Sequence, residues 1–65
     1  MAVKEERAKS KNFFREEEIG CSVENDSNGR EVRRTANMEY TLYQNERRVK
    51  KVKNIEIALD FLFGK

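Results

Sequence analysis

The sequence predicts an α+β domain: a three-stranded antiparallel β-meander with a short C-terminal helix packed on one face, preceded by a weakly structured or helical N-terminal arm. Three observations carry this prediction. Apolar and polar residues alternate with a period of two from Ile19 to Tyr43, as in a half-buried sheet. An Asn28-Gly29 dipeptide, a strong short-range hairpin signal, ends the turn-forming cluster Asn25 to Gly29 inside that stretch. Finally, Ile55, Ala58, Leu59 and Leu62 form a helix-period stripe bracketed by Asn54, a good N-cap, and Gly64, a good stop.

Residues 1–18 form the arm. Lys4, Glu5, Glu6, Arg7, Lys9 and Lys11 crowd its first half. Glu5–Lys9 is an i,i+4 pair in the favourable order, yet an isolated stretch this polar is costly to nucleate, so fraying is expected. The adjacent rings Phe13-Phe14 are where such an arm would dock. Residues 19–65 make up the single small βββα domain. Its first strand starts at Ile19, with Ile19, Cys21 and Val23 inward. A two-residue Asn28-Gly29 loop of type I′ pairs Ser27 with Arg30, Glu24 with Arg33, Cys21 with Ala36 and Ile19 with Met38. This register leaves Asp26 opposite Glu31, a like-charge pair that a longer loop would remove.

The second strand is expected to run unbroken from Arg30 to Tyr43. Val32, Ala36, Met38, Tyr40 and Leu42 share its inward face, on which Arg34 is the misfit. Arg33, Thr35, Asn37, Glu39, Thr41 and Tyr43 share the other. Arg47 to Lys53 reads as the third strand, entered through an Asn45-Glu46 loop that sets Tyr43 opposite Arg48 and Leu42 opposite Val49. Val49 and Val52 have opposite parity, so both face the core only if a bulge intervenes. In the closing helix only Glu56 and Asp60 are polar. Ile57 lies roughly 160° and Phe61 roughly 120° from the Ile55 side at ~100° per residue, so large apolar side chains point away from the sheet.

Composition narrows the function. The 65 residues carry 14 Lys and Arg against 12 Asp and Glu, and Leu, Ile, Val and Phe number only 15, so the core is small. One cysteine and no histidine exclude a disulfide framework, the common zinc sites and the Ser-His-Asp or Cys-His arrangements. No catalytic residue, metal ligand or cofactor is therefore assigned, and the protein is expected not to be an enzyme. Cys21, flanked by apolar neighbours, reads as a small buried hydrophobe. The scattered acids Glu16, Glu17, Glu18, Glu24, Asp26 and Glu31 read as a solvated face. No apolar run approaches the ~20 residues of a membrane span, which gives a cytoplasmic expectation.

Charge is distributed unevenly. Residues 1–31 hold six cations and eight anions, residues 32–65 eight cations and four anions. Arg47-Arg48-Val49-Lys50-Lys51-Val52-Lys53 places five cations in seven residues. In the expected registers Arg33, Thr35, Tyr43, Arg48 and Lys50 lie on the solvent face, with Arg47, Lys51 and Lys53 beside them. Donors and one aromatic ring in this arrangement are the chemistry that a nucleic acid requires. Lys and Arg on an edge strand also guard against aggregation. The expected function is a small nucleic-acid-binding or regulatory module, of a kind suited to a phage or mobile-element accessory protein, using the basic hairpin of the last two strands. The alternative is a protein-interaction or inhibitor protein that docks or homodimerises through Ile57, Phe61 and Phe63 of the last helix.

In strand order, residues 19–63 resemble the integrase-type arm-DNA-binding domain, whose three-stranded sheet enters the major groove with a helix behind. That resemblance implies a groove-facing set of Arg33, Thr35, Tyr43, Arg48 and Lys50. The element order also looks like the double-stranded-RNA-binding domain. There the sequence departs, since that family's Lys-rich helix start is replaced by Asn54-Ile55-Glu56-Ile57 and the final helix is short.

Overall fold

Alternation from Ser22 to Val52 builds four antiparallel strands, and a helix at either end of the chain covers one side of them. The computed structural model describes residues 2–64, with side-chain detail from Lys4 on. Met1 and Lys65, assigned above to the arm and to the domain, lie outside the described residues. The elements are α1 (Ala2–Glu16), β1 (Ser22–Asn25), β2 (Arg30–Ala36), β3 (Glu39–Gln44), β4 (Arg47–Val52) and α2 (Ile55–Phe63). The sheet order is β1-β2-β3-β4, a meander in which every strand pairs with its sequence neighbour.

The expected three strands are thus four, because the stretch Arg30 to Tyr43 folds back on itself at Asn37-Met38. Met38 takes the left-handed conformation there, with φ 63°, and its side chain is exposed rather than inward. A register shift between Arg34 and Ala36 accompanies the turn. The first hairpin also differs from expectation. Val23 pairs with Val32, and Glu24 with Glu31 rather than Arg33, so the register is displaced by two residues and the loop is Asp26 to Gly29. Asn25 stabilises this wider loop: its Oδ1 accepts from the Ser27 N–H at 3.2 Å and the Ser27 hydroxyl at 2.8 Å. Gly29 is required on two counts, its φ of 69° and the Asn45 side chain packed where a Cβ would stand. The two-residue loop with both centres left-handed is Asn45-Glu46, at φ 51° and 71°. Ile19 sits in a turn before β1 and is exposed, not inward.

Phe14, Val32, Tyr40, Leu42, Ala58, Leu59 and Leu62 form the core, with Cys21, Val23, Val52, Ile55, Phe61 and Phe63 at its margin. Burial raises the Cys21 thiol pKa, in keeping with a small hydrophobe. Asn54 caps α2 as expected, its Oδ1 accepting the Glu56 N–H at 2.7 Å, and the Gly64 N–H closes the helix on the Asp60 carbonyl at 2.7 Å. The N-terminal segment is a helix rather than a frayed arm. It docks through Phe14, which is buried and packs edge-on to Tyr40 at 5.5 Å between ring centroids. Arg7 meets Glu56 and Asp60, both at 2.8 Å, and Lys11 meets Glu56 at 2.6 Å.

Arg34, the misfit of the inward face, has a role of its own. Its guanidinium donates to the carbonyls of Phe14 (2.8 Å) and Glu17 (3.1 Å) at the end of α1. Two pleat repeats away, Arg30 donates to the Phe61 carbonyl at 2.8 Å at the end of α2 and lies over the Phe61 ring. The two arginines bracket the buried Val32 on one face of β2, and each serves the carbonyl-rich end of a different helix, where a cation is favoured.

Candidate nucleic-acid interface

One face of the sheet is covered by the helices and the other is open. Directly paired residues share a face. The open face therefore carries the row Glu24–Glu31–Tyr43–Arg48 and the row Ser22–Arg33–Thr41–Lys51, with Thr35 and Glu39 beyond them. Its cations Arg33, Arg48 and Lys51 are matched by Glu24, Glu31 and Glu39. Arg33 is further occupied, at 3.5 Å from Glu31 and 5.1 Å from the centre of the Tyr43 ring. Thr35 donates to Glu39 at 2.8 Å and meets Thr41 at 3.2 Å. The Thr35 hydroxyl, helped by Lys51 and Lys53, holds the Glu39 carboxyl below the usual range, so it is charged at neutral pH. As a whole this face is close to electrically balanced.

The basic edge is different. β4 is the last strand of the sheet, with one side unpaired, and Arg47, Arg48, Lys50, Lys51 and Lys53 are all exposed along it. Tyr43 pairs with Arg48 as expected, but Leu42 pairs with Lys50 rather than Val49. Val49 is the extra residue of the bulge and is 52% exposed, which frees Val52 to pack against the core. The bulge also exchanges two lysines: Lys51, opposite Thr41, is on the open face, and Lys50, opposite Leu42, is on the helix side. Lys50 therefore leaves the solvent-face set in which the sequence placed it. The basic hairpin is β3–β4 of the four strands.

These cations differ from those that tie the fold together, and unlike Lys4, Lys9 and Arg15, which are exposed along α1 without an ion pair among the described residues, they are adjacent to one another. Arg7 and Lys11 engage α2, while Arg30, Arg33 and Arg34 engage carbonyls, rings or carboxylates. Among the described residues, Arg47, Arg48, Lys50 and Lys53 have no ion pair, and Lys51 has a long one, 3.7 Å to Glu39. The opposite tendency marks the end of the sheet at the Asp26–Gly29 and Asn45-Glu46 loops. There Glu24, Asp26, Glu31 and Glu46 line an open cleft of about 210 Å³ with Arg30. That end of the sheet is acidic, and the edge that leads from Arg47 toward Lys53 is basic.

The three residues assigned to a protein interface are not equivalent. Ile57 is 47% exposed on the outer side of α2. Phe61 is half-buried beneath the Arg30 guanidinium, and Phe63 is half-buried against the core. Sequence reasoning missed the helix-end roles of Arg30 and Arg34, whose one signal was a pair of arginines with the parity of Val32. Among the described residues no group of His, Cys, Asp and Glu is arranged to hold a metal ion, and no helix is long and apolar enough to cross a membrane.

These elements define the class as a small α+β domain, a four-stranded meander between two helices. Comparison with known families, curated proteins and solved structures finds no match for this chain.

Proposed function

We propose that the protein is a small nucleic-acid-binding module whose contact surface is the β4 edge. The observation that carries this reading is the row of five exposed cations from Arg47 to Lys53, four of them without an ion pair among the described residues. Of the other described cations, Arg7, Lys11, Arg30, Arg33 and Arg34 serve the fold and Lys4, Lys9 and Arg15 are spaced out along α1, so the β4 edge is where unpaired cations are concentrated. The resemblance to the arm-DNA-binding domain points to the sheet face instead, and the charge balance of that face favours the edge over it.

Binding through four or five phosphate contacts gives a slope of log affinity against log salt of roughly −4, since each contact contributes about −0.9 on a duplex. Fluorescence anisotropy with labelled mixed-sequence oligonucleotides, titrated at several salt concentrations, measures it. Replacing Arg48 and Lys50 together by Ser lowers the slope by roughly 2 and weakens binding. Both side chains are exposed, so circular dichroism should remain native. Unchanged affinity in a folded double variant removes the reading.

A further inference from the structure

Resting on that reading, we propose that the β4 edge enters the groove of a B-form DNA duplex edge-on, one flank of the strand facing each phosphate wall. Alternation gives the strand two flanks, and the bulge at Val49 decides which cations share each of them. Arg48 and Lys51 share the open face with Tyr43 and Thr41, and Arg47 and Lys50 share the helix side with Gln44 and Leu42. A strand with cations on one side only would track a single backbone. This one is a ridge with a cationic pair on each side and a free backbone edge along its crest. Within each flank the two cations lie opposite residues two apart on β3, so they are about 7 Å apart along the strand, or about two base-pair steps of phosphate spacing.

The form of the nucleic acid follows from the ridge and from the rings near it. Sequence-tolerant single-strand binding uses open aromatic faces as stacking platforms. Here Tyr43 is half-buried with Arg33 over its ring, Tyr40 and Phe14 are buried, and the exposed ring, Phe13, belongs to α1 on the helix side. No platform adjoins the basic edge among the described residues. A strand carrying side chains on both flanks fits the DNA major groove, about 12 Å wide, and not the minor groove, about 6 Å. The major groove of an RNA duplex is deep and narrow, so the same ridge is excluded from it.

The test uses the full chain and three probes of one sequence: duplex DNA, duplex RNA and single-stranded DNA. Duplex DNA is expected to bind at least about tenfold more tightly than either of the others. Arg48→Ser with Lys51→Ser, and separately Arg47→Ser with Lys50→Ser, should each lower the duplex salt slope by roughly 2, because each pair meets a different wall. If one pair carries the whole loss, or if RNA duplex or single strand binds as tightly as duplex DNA, edge-on entry is wrong while nucleic-acid binding stands. If none of the three probes binds, the underlying reading falls and this one with it.

Discussion

The two helices lie on the same side of the sheet and are held by different physics. α2 has nine residues and places Ala58, Leu59 and Leu62 in the centre of the core, while its C-terminal carbonyls are taken by Asn25, Asn28 and Arg30. α1 has fifteen residues, and among those whose side chains are described its one contribution to the core is Phe14. The rest of its attachment is polar: the Arg34 bonds at its end and the pairs from Arg7 and Lys11 to the exposed side of α2. Apolar burial scales with area and is insensitive to pH and salt, whereas exposed ion pairs contribute little and are screened. The shorter helix is thus part of the domain's stability, and the longer one is fastened on top of it.

The most severe way to break this contrast is Leu59→Ala. Removing a fully buried leucine costs about 2–5 kcal/mol, and a single core in a domain of this size supplies about 3–5 kcal/mol in all. Denaturant unfolding should therefore find the variant largely unfolded at room temperature. Phe14→Ala removes a larger ring, for which about 3–5 kcal/mol is typical, but its effect is bounded by the docking energy of α1. Amide hydrogen exchange should show α1 losing protection while β2 and β3 keep theirs. Uniform loss across the whole chain would show that the two helices are one cooperative unit after all.

Arg34→Met keeps the aliphatic stem and removes the guanidinium, at a cost of about 1–2 kcal/mol for charge-assisted bonds to carbonyls at a partly exposed helix end. The loss should appear at the last turn of α1 in exchange data, with α2 unaffected. The smallest effect is that of acid. Hydrogen bonds from Lys11 and Arg7 hold the Glu56 carboxyl below its ordinary range. Its contribution is complete above the usual glutamate value of about 4.3 and is lost as the pH falls through the lower folded value. Near that pH, α1 resonances should shift in a titration, and Glu56→Gln should remove that shift while the sheet's own titration, which includes Glu39, is unchanged. An α1 titration that persists in the Glu56→Gln variant would contradict the division.

The contrast also explains which parts of the fold were legible in the sequence. α2 announced itself completely, because its caps and its apolar stripe are local. α1 did not, because what orders it is Arg34, Tyr40 and Glu56, residues 17 or more positions away from their partners. The Asn37-Met38 turn was invisible for a subtler reason. A plain hairpin there, in the Ala36–Glu39 register, would have reversed the parity of the alternation, but the register shift at Thr35 restores it, so Val32, Tyr40 and Leu42 read as one strand. In the first hairpin the expected and observed registers differ by two residues, and both put Val23 and Val32 on the same side. Alternation alone cannot distinguish them. The basic edge was legible as composition. Which cations share a flank was not, since that depends on a bulge whose need, but not whose site, followed from the opposite parities of Val49 and Val52.

Leu59 and Leu62 come after every strand in the chain, and this fixes when the structure can close during synthesis. The meander is local and its hairpins can pair as they are made, but the part of the inner face that Ala58, Leu59 and Leu62 cover stays open until residues 58–62 have been added. α1 is made first and waits longest, a polar helix too short to be stable in isolation, with its two anchors, Arg34 and Glu56, still to come. Within these residues, closure of the core therefore waits for the last helix, which seals the sheet before the first is fastened to it.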